Sequence, residues 1–199
     1  MDSTSYRVME HFCTLQGEGF YSGRAAYFIR LSGCDVGCVW CDVKESWDAD
    51  FGELLTASML GHLTSAQDFV VITGGEPAMQ DLNALCIELH ALGKYIAIET
   101  SGCYPLKGDI DWYTFSPKKF KKPIAEAYEK ANELKVVVFH PSDLAWAESH
   151  AEKVNESCLL FLQPEWEKRD ELLPLIISYV QRNPQWKLSL QTHKYLNIP

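Results

Sequence analysis

Apolar residues along this chain fall in short, nearly continuous blocks, and most blocks run out at a glycine or a proline. Ala25 to Leu31, Phe69 to Thr73, Tyr95 to Thr100, Trp112 to Ser116, Glu133 to Val138, Cys158 to Leu162 and Trp186 to Gln191 are all rich in β-branched, aromatic or leucine residues. Blocks of that length and composition predict strands covered on both faces, as in a parallel sheet. Residues 8 to 15 also read as extended, and Gln16-Gly17-Glu18-Gly19 then breaks the pattern with two glycines.

Between the strand blocks the period changes. Leu82, Leu85, Cys86, Leu89 and Leu92 follow helical spacing, with Gly93 placed to end the helix. Helices are also expected over Leu54 to Leu63, over Ile124 to Ala131, from a cap at Ser142 or Asp143 to about Val154, and over Glu171 to Arg182, where Asn183-Pro184 is a stop. Strands alternating with helices imply right-handed crossovers that line up successive strand ends on one rim. A full eightfold barrel takes roughly 250 residues, more than the 199 present. The expected fold is therefore α/β, a partial, open (β/α) barrel with about six parallel strands, in a single domain spanning 1–199. A Rossmann arrangement fits less well, because no phosphate fingerprint follows the first strand.

Charge and composition narrow the function classes. The formal net charge is -9, and the only concentrated basic run is Lys118-Lys119-Phe120-Lys121-Lys122, which argues against a primary nucleic-acid binder. The start of the chain is polar, and no apolar run approaches signal-peptide or membrane-spanning length, so a cytoplasmic protein with no membrane association is expected. Of seven cysteines, Cys13, Cys86, Cys103 and Cys158 read as buried thiols behaving as small hydrophobes. The other three are different.

Cys34, Cys38 and Cys41 lie on one short loop directly after the Ala25 to Leu31 strand, where open α/β sheets place their chemistry. Three thiolates there can converge on one metal cluster, and soft sulfur ligands select iron-sulfur or zinc over hard cations. Structural zinc needs a fourth protein ligand, and none follows at finger or ribbon spacing. A cubane held by three cysteines keeps one iron open; a zinc loop and unligated structural cysteines are the competing readings. Arg30, inside the strand, either pairs with a carboxylate or faces an anionic ligand. Gly74-Gly75 at a strand end leaves backbone groups open to a ligand. Glu99 near another strand end is a ligand group or a buried ion-pair partner.

With Trp40 before its last cysteine, the loop resembles the signature of the radical S-adenosylmethionine enzymes, and Gly74-Gly75-Glu76 after a strand is similar to their Gly-Gly-Glu motif. The resemblance implies a [4Fe-4S] cluster, S-adenosylmethionine on its open iron, and a barrel of the radical S-adenosylmethionine type. Further segments narrow the likeness: Thr14 to Gly19, Arg30-Leu31, Trp40-Cys41-Asp42, Thr73 to Pro77, Glu99 to Gly102, Ser116-Pro117-Lys118, Gln163-Pro164 and the tail 191–199 together resemble the 7-carboxy-7-deazaguanine synthase family. That family is homodimeric and converts 6-carboxy-5,6,7,8-tetrahydropterin into 7-carboxy-7-deazaguanine and ammonia by radical ring contraction, in the pathway to queuosine and other 7-deazapurines. An electron donor such as flavodoxin or ferredoxin is implied as a partner.

Carried over by position, the resemblance gives the pterin to Leu15, Gln16, Gly17, Arg30, Thr73 and Pro199. It gives S-adenosylmethionine to Trp40, Cys41, Asp42 and Gly75, to Ser116, Pro117 and Lys118, and to Gln163, Pro164, Glu165 and Trp166. Cys34, Cys38 and Cys41 would hold the cluster that generates the radical. The sequence departs from the family at Val43, where a threonine hydroxyl commonly meets Mg2+; valine offers no oxygen, which puts Mg2+ in doubt. Two other readings share the cysteines. A small glycyl-radical activase needs no pterin loop or terminal Pro199, and a non-enzymatic iron-sulfur or zinc module would tolerate changes at Thr73, Lys118 and Pro199.

Overall fold

The computed structural model describes residues 4–199. β1 (Ser5–Leu15) and β2 (Ala25–Leu31) form an antiparallel hairpin, and β3 (Glu53–Thr56) pairs with the other edge of β1. From β2 the chain continues through β4 (Phe69–Gly74), β5 (Tyr95–Thr100), β6 (Trp112–Phe115), β7 (Glu133–Val138), β8 (Leu159–Pro164) and β9 (Trp186–Leu188), each parallel to the one before in the sheet. The sheet order is β3-β1-β2-β4-β5-β6-β7-β8-β9, so its two edges, β3 and β9, do not meet. The fold is an open α/β barrel, with seven parallel strands among the described residues where about six were expected.

Alternation along each strand sorts residues between two faces. Ile29, Leu31, Val70, Ile72, Ile96, Ile98, Leu134 and Val136 share one continuous apolar core. Against it pack residues of α2 (Asn83–Ala91), α4 (Asp143–Ala151) and α5 (Arg169–Arg182). The intervening positions face inward. At one end they are apolar: Phe28, Phe69, Val71 and Ala97 meet Tyr21 and Trp112. Phe20 stacks on Trp112 at 5.1 Å, and the Arg24 guanidinium lies 4.2 Å above the Phe69 ring. The loop between β1 and β2 therefore plugs that end of the barrel with aromatic surface, leaving the opposite rim for ligands.

Several expectations change in detail. The helix expected over Leu54 to Leu63 divides into β3 and α1 (Ala57–Leu63), because Leu54 and Leu55 find an unpaired edge on β1 and Thr56 is a good cap whose hydroxyl accepts from the Met59 amide at 3.2 Å. Ser142 stands at the N-cap of α4, but its side chain makes no capping bond. The Asp143 carboxylate turns back instead, accepting from the Phe139 and His140 amides at 2.8 and 3.0 Å. α3 (Ala125–Lys130) lies within its expected span. The last strand stops at Leu188, and the tail folds into α6 (Thr192–Leu196). Cys86, Cys103 and Cys158 are buried as expected, whereas Cys13 is exposed, since β1 carries only one covered face at that point. No helix among the described residues is long and apolar enough to cross a membrane.

Tyr6 ties β1 to the first turn of α2: its hydroxyl donates to the Asp81 carbonyl at 3.0 Å and accepts from the Leu85 amide at 3.1 Å. The ring is fully buried. Replacing Tyr6 by phenylalanine keeps the packing and removes both bonds, so urea unfolding is expected to show a loss of about 2 kcal/mol. An unchanged midpoint would mean that water replaces the hydroxyl.

Candidate active site

The rim of the barrel begins with a close backbone contact. Gly74 ends β4 at φ +133, and a Cβ there would lie 2.1 Å from the Leu31 carbonyl oxygen. A Cβ on Gly75 would lie 2.4 Å from the Gly33 carbonyl oxygen. Only glycine permits both approaches. The Gly75 amide donates to the Leu31 carbonyl and the Glu76 amide to the Gly33 carbonyl, each at 2.9 Å. The Gly75 amide, expected to be open to a ligand, and the Glu76 amide after it are thus committed to holding the cysteine loop against the end of β4.

Glu76 continues that role. Its carboxylate is almost fully buried and accepts from the Ala78 amide at 3.1 Å, the Ser101 amide at 2.8 Å and the hydroxyls of Thr100 and Ser101. The side chain of the Gly-Gly-Glu motif therefore joins the ends of β4 and β5. Through these contacts three neighbouring strand ends become one platform.

Above the platform opens a cavity of about 640 Å³. Cys34, Cys38 and Cys41 line it, as do Trp40, Asp42, Gly75, Ser116 and Lys118. Gln163 near the end of β8 and Glu165 and Trp166 just beyond it continue the wall. Leu15, Gln16 and Gly17 reach it from the β1–β2 loop, Arg30 and Thr73 from paired positions on β2 and β4, and Pro199 from the chain end. Pro117 and Pro164 stand outside the lining; both are buried, and Pro164 is paired in β8 with Val138. Sequence motifs scattered from residue 15 to residue 199 thus meet at one site.

Arg30 fills the first of its two anticipated roles, pairing through Nε with Glu10 at 2.6 Å, and its side chain also lines the cavity. Lys118 donates to the carbonyl and hydroxyl of Ser116, both at 2.6 Å, and lies 5.8 Å from the Trp40 ring centre. Burial lowers its pKa.

A charged network that the sequence only half signalled supports the Gln16 loop. Lys135, on β7, bonds Glu18 and lies 3.4 Å from Glu99. Glu99 accepts from the Gln16 amide nitrogen at 3.0 Å, and Glu18 from Gln191 at the same distance. Burial acts to raise the Glu18 pKa, but Lys135, assisted by His193 and Gln191, brings it down to about 2. Burial likewise opposes the Lys135 ammonium, and Glu18, Glu99 and Glu133 overcome it and raise its pKa. Glu99 stood out at a strand end; the sign that was missed was a lysine inside the apolar run 133–138.

The tail is the other feature composition understated. The Gly17 carbonyl accepts from both the amide and the hydroxyl of Thr192 at 2.9 Å, using both lone pairs. His193 packs so closely that a Cβ on Gly17 would lie 2.1 Å from its Nδ1, and its pKa is lowered by burial. Lys194 reaches Asp42 beside the cysteines at 2.7 Å, and the Thr14 hydroxyl donates to Pro199 at 3.0 Å. Gln191, His193 and Lys194 all line the cavity.

The donor set suits an iron-sulfur cluster. Three thiols on one loop share the wall with groups able to bind an anionic cofactor, and the buried Cys86, Cys103 and Cys158 supply no further thiol to it. Burial raises the Cys38 thiol to about 11 and pushes up Cys34, and a bound metal would favour loss of those protons. Among the described residues no three His, Cys, Asp or Glu groups are drawn together as a finished metal site. Mg2+ is poorly provided for: Val43 offers no oxygen, and the Asp42 carboxylate beside it holds Lys194.

Comparison with known proteins agrees with this geometry. A family described as a 4Fe-4S single cluster domain matches residues 15–104. The 7-carboxy-7-deazaguanine synthase of Flavobacterium psychrophilum is 52% identical over 96% of this chain and 92% of its own. That of Synechocystis is 48% identical over 98% and 95%. A crystal structure of QueE from Escherichia coli superposes with a TM-score of 0.84 at 33% identity, covering 94% of this chain and 93% of that one.

Lys135 gives the network its sign. Glu18 has a lowered pKa when folded, so its contribution to stability is complete above the ordinary 4.5 and is lost as pH falls toward about 2. Replacing Lys135 by methionine leaves two carboxylates facing an apolar side chain, which should cost about 3–5 kcal/mol at neutral pH. The deficit should shrink at pH 4, as Glu18, no longer held down by Lys135, protonates. Urea titrations at the two pH values test this; an equal deficit at both would point to lost packing instead.

Proposed function

Because this chain belongs to the 7-carboxy-7-deazaguanine synthase family, we propose that the cavity brings 6-carboxy-5,6,7,8-tetrahydropterin and S-adenosylmethionine together over the three cysteines. The chain is a carbon-nitrogen lyase of the radical S-adenosylmethionine class, forming 7-carboxy-7-deazaguanine and ammonia. The observation that carries the assignment of the site is the meeting of Cys34, Cys38 and Cys41 with Arg30, Thr73 and the chain-terminal Pro199 on one wall. A non-enzymatic cluster module has no need of that convergence.

When bound, the cluster held by Cys34, Cys38 and Cys41 together with S-adenosylmethionine would supply one-electron chemistry for reversible hydrogen transfer with the pterin. The protein's part is to hold and orient. Arg30 presents a guanidinium to the pterin carboxylate, a charge-assisted contact. Pro199 stands at the N-H edge of the aminopyrimidinone, with Thr73, Leu15 and the Gln16-Gly17 loop around it. Since the Gly17 carbonyl is already saturated by Thr192, Gly17 contributes close approach rather than an acceptor. Trp40, Asp42, Gly75, Ser116, Lys118, Gln163, Glu165 and Trp166 form the S-adenosylmethionine side, and Pro117 and Pro164 shape it from behind. The Glu18–Lys135–Glu99 network fixes the Gln16 amide so that it need not reorganise during the reaction.

The same reading has the chain work as a cytoplasmic homodimer in 7-deazapurine biosynthesis, as a single domain, receiving its electron from a flavodoxin- or ferredoxin-type carrier. It has no role for nucleic acid or membrane.

The experiment is anaerobic reconstitution with iron and sulfide, followed by assay for 7-carboxy-7-deazaguanine. Product should form with the intact chain and disappear when any of Cys34, Cys38 or Cys41 is replaced by alanine. Cleavage of S-adenosylmethionine without conversion of the pterin would retain the chemistry and reject the substrate. Arg30→Gln should raise KM for the pterin roughly thirtyfold, the equivalent of about 2 kcal/mol for a charged hydrogen bond, with S-adenosylmethionine cleavage intact. Removing Mg2+ should change turnover by less than about twofold, given the donors at Asp42 and Val43; a large loss would show that other groups hold the ion.

A further inference from the structure

Three carboxamides, Gln16, Gln163 and Gln191, line the cavity. A carboxamide can face a ligand with its oxygen or its nitrogen, and its neighbours decide which. Gln16 is committed at both ends, donating to Glu99 at 3.0 Å and accepting from the Glu18 amide at 3.1 Å. Gln191 donates to Glu18 at 3.0 Å. Gln163 is the one whose orientation the charged network does not set. Its partner is Ser189, which stands outside the cavity lining. Leu162 and Leu188 pair across β8 and β9, and Ser189 follows directly, its amide donating to the Leu162 carbonyl at 2.9 Å. That register sets the serine beside Gln163.

Ser189 and Gln163 are only 2% and 3% exposed, so water does not decide their hydrogen bonding. The serine oxygen accepts from the Gly19 amide at 2.9 Å and donates to Oε1 of Gln163 at 2.7 Å. The direction of this relay follows from its protons. The Gly19 N-H can only donate, so it occupies a lone pair of the serine oxygen. The single hydroxyl proton then needs an acceptor, because leaving it buried and unpaired carries a full desolvation cost. Turning the Gln163 carboxamide over would bring an N-H against the serine oxygen and leave that proton with no acceptor among the described residues. Oε1 is therefore held by Ser189. The Nε2 group, which makes no bond of its own among the described residues, is the end left to the cavity.

We propose that Ser189 is a positioning residue for S-adenosylmethionine, holding the Gln163 carboxamide so that a nitrogen donor rather than an oxygen meets the ligand. The inference rests on the assignment of Gln163 to the S-adenosylmethionine side of the cavity. The ligand group it suits is a hydrogen-bond acceptor, such as a ring nitrogen or a ribose oxygen. Because Gly19 belongs to the β1–β2 loop, the same hydroxyl braces that loop against the end of β8. The walls assigned to the two ligands thus share one buried oxygen atom.

The test is equilibrium dialysis of S-adenosylmethionine with the reconstituted, unreduced full chain, which reads binding without turnover. Ser189→Ala should weaken binding about threefold to tenfold, the worth of one hydrogen bond. Ser189→Thr, which keeps the hydroxyl, should restore most of that. Gln163→Ala should weaken binding by a similar factor. In the double variant the serine change should add less than about twofold, because its effect passes through Gln163. Urea midpoints of the same variants read any loss of stability separately. Three results would overturn the inference: losses that multiply in the double variant, wild-type affinity in Ser189→Ala, or a Ser189→Thr chain of wild-type midpoint that binds no better than the alanine variant. Unchanged affinity in Gln163→Ala would overturn it together with the assignment of Gln163 to S-adenosylmethionine. Absence of 7-carboxy-7-deazaguanine from the wild-type chain after reduction would count against the pterin substrate and leave the binding comparison intact.

Discussion

The site depends on how closely two parallel strands can approach at their ends. Gly74 and Gly75 pass against Leu31 and Gly33 at distances that exclude any side chain, and the hydrogen bonds made there leave the cysteine loop no freedom to swing from the rim. Glu76 extends the connection to β5 through two hydroxyls and a backbone amide. A ligand platform built this way is fixed by backbone geometry before any ligand arrives. The positions of Arg30 and Thr73 follow, because β2 and β4 pair in the register that sets these two side by side.

The second requirement is to close a barrel that the strand count leaves open. At one end the aromatic plug of Phe20 and Tyr21 excludes water; at the rim the tail does similar work with polar groups. Thr192 and Pro199 bond the segment from Thr14 to Gly17, and Lys194 bonds Asp42 beside the cysteines. Chain ends usually fray. Here residues 192 to 199 are held at several separate points. The buried Lys135 keeps the Glu18 carboxylate ionised beneath the same loop, a costly arrangement sustained by mutual pairing.

Much of this was legible in the residues. Parallel strands announce themselves as apolar blocks ending at glycine or proline, and the cysteine spacing pointed to a cluster with an open iron. Local pattern failed where pairing partners decide the outcome. Leu54 and Leu55 join a sheet edge that no periodicity reveals, and Cys13 is exposed because β1 lies at the less covered end of the sheet. The Glu18–Lys135–Glu99 network joins residues far apart in sequence, so only a lysine in an apolar strand hinted at it. Gly-Gly-Glu was recognisable as a motif, yet its amides and carboxylate serve the scaffold, which its sequence could not disclose. Resemblance supplied the grouping of Leu15 with Pro199; the fold supplied the reason they meet.

The most direct measurement of the central claim follows one hydrogen. With deuterium on the pterin carbon that bears the carboxylate, the reconstituted, reduced chain is allowed to turn over and both product and recovered S-adenosylmethionine are examined by mass spectrometry. If the cavity holds the two molecules in contact over the cysteines, deuterium enters S-adenosylmethionine as 7-carboxy-7-deazaguanine forms. Product formed with no label in S-adenosylmethionine would contradict the account, because the radical would then have reached the pterin by another route.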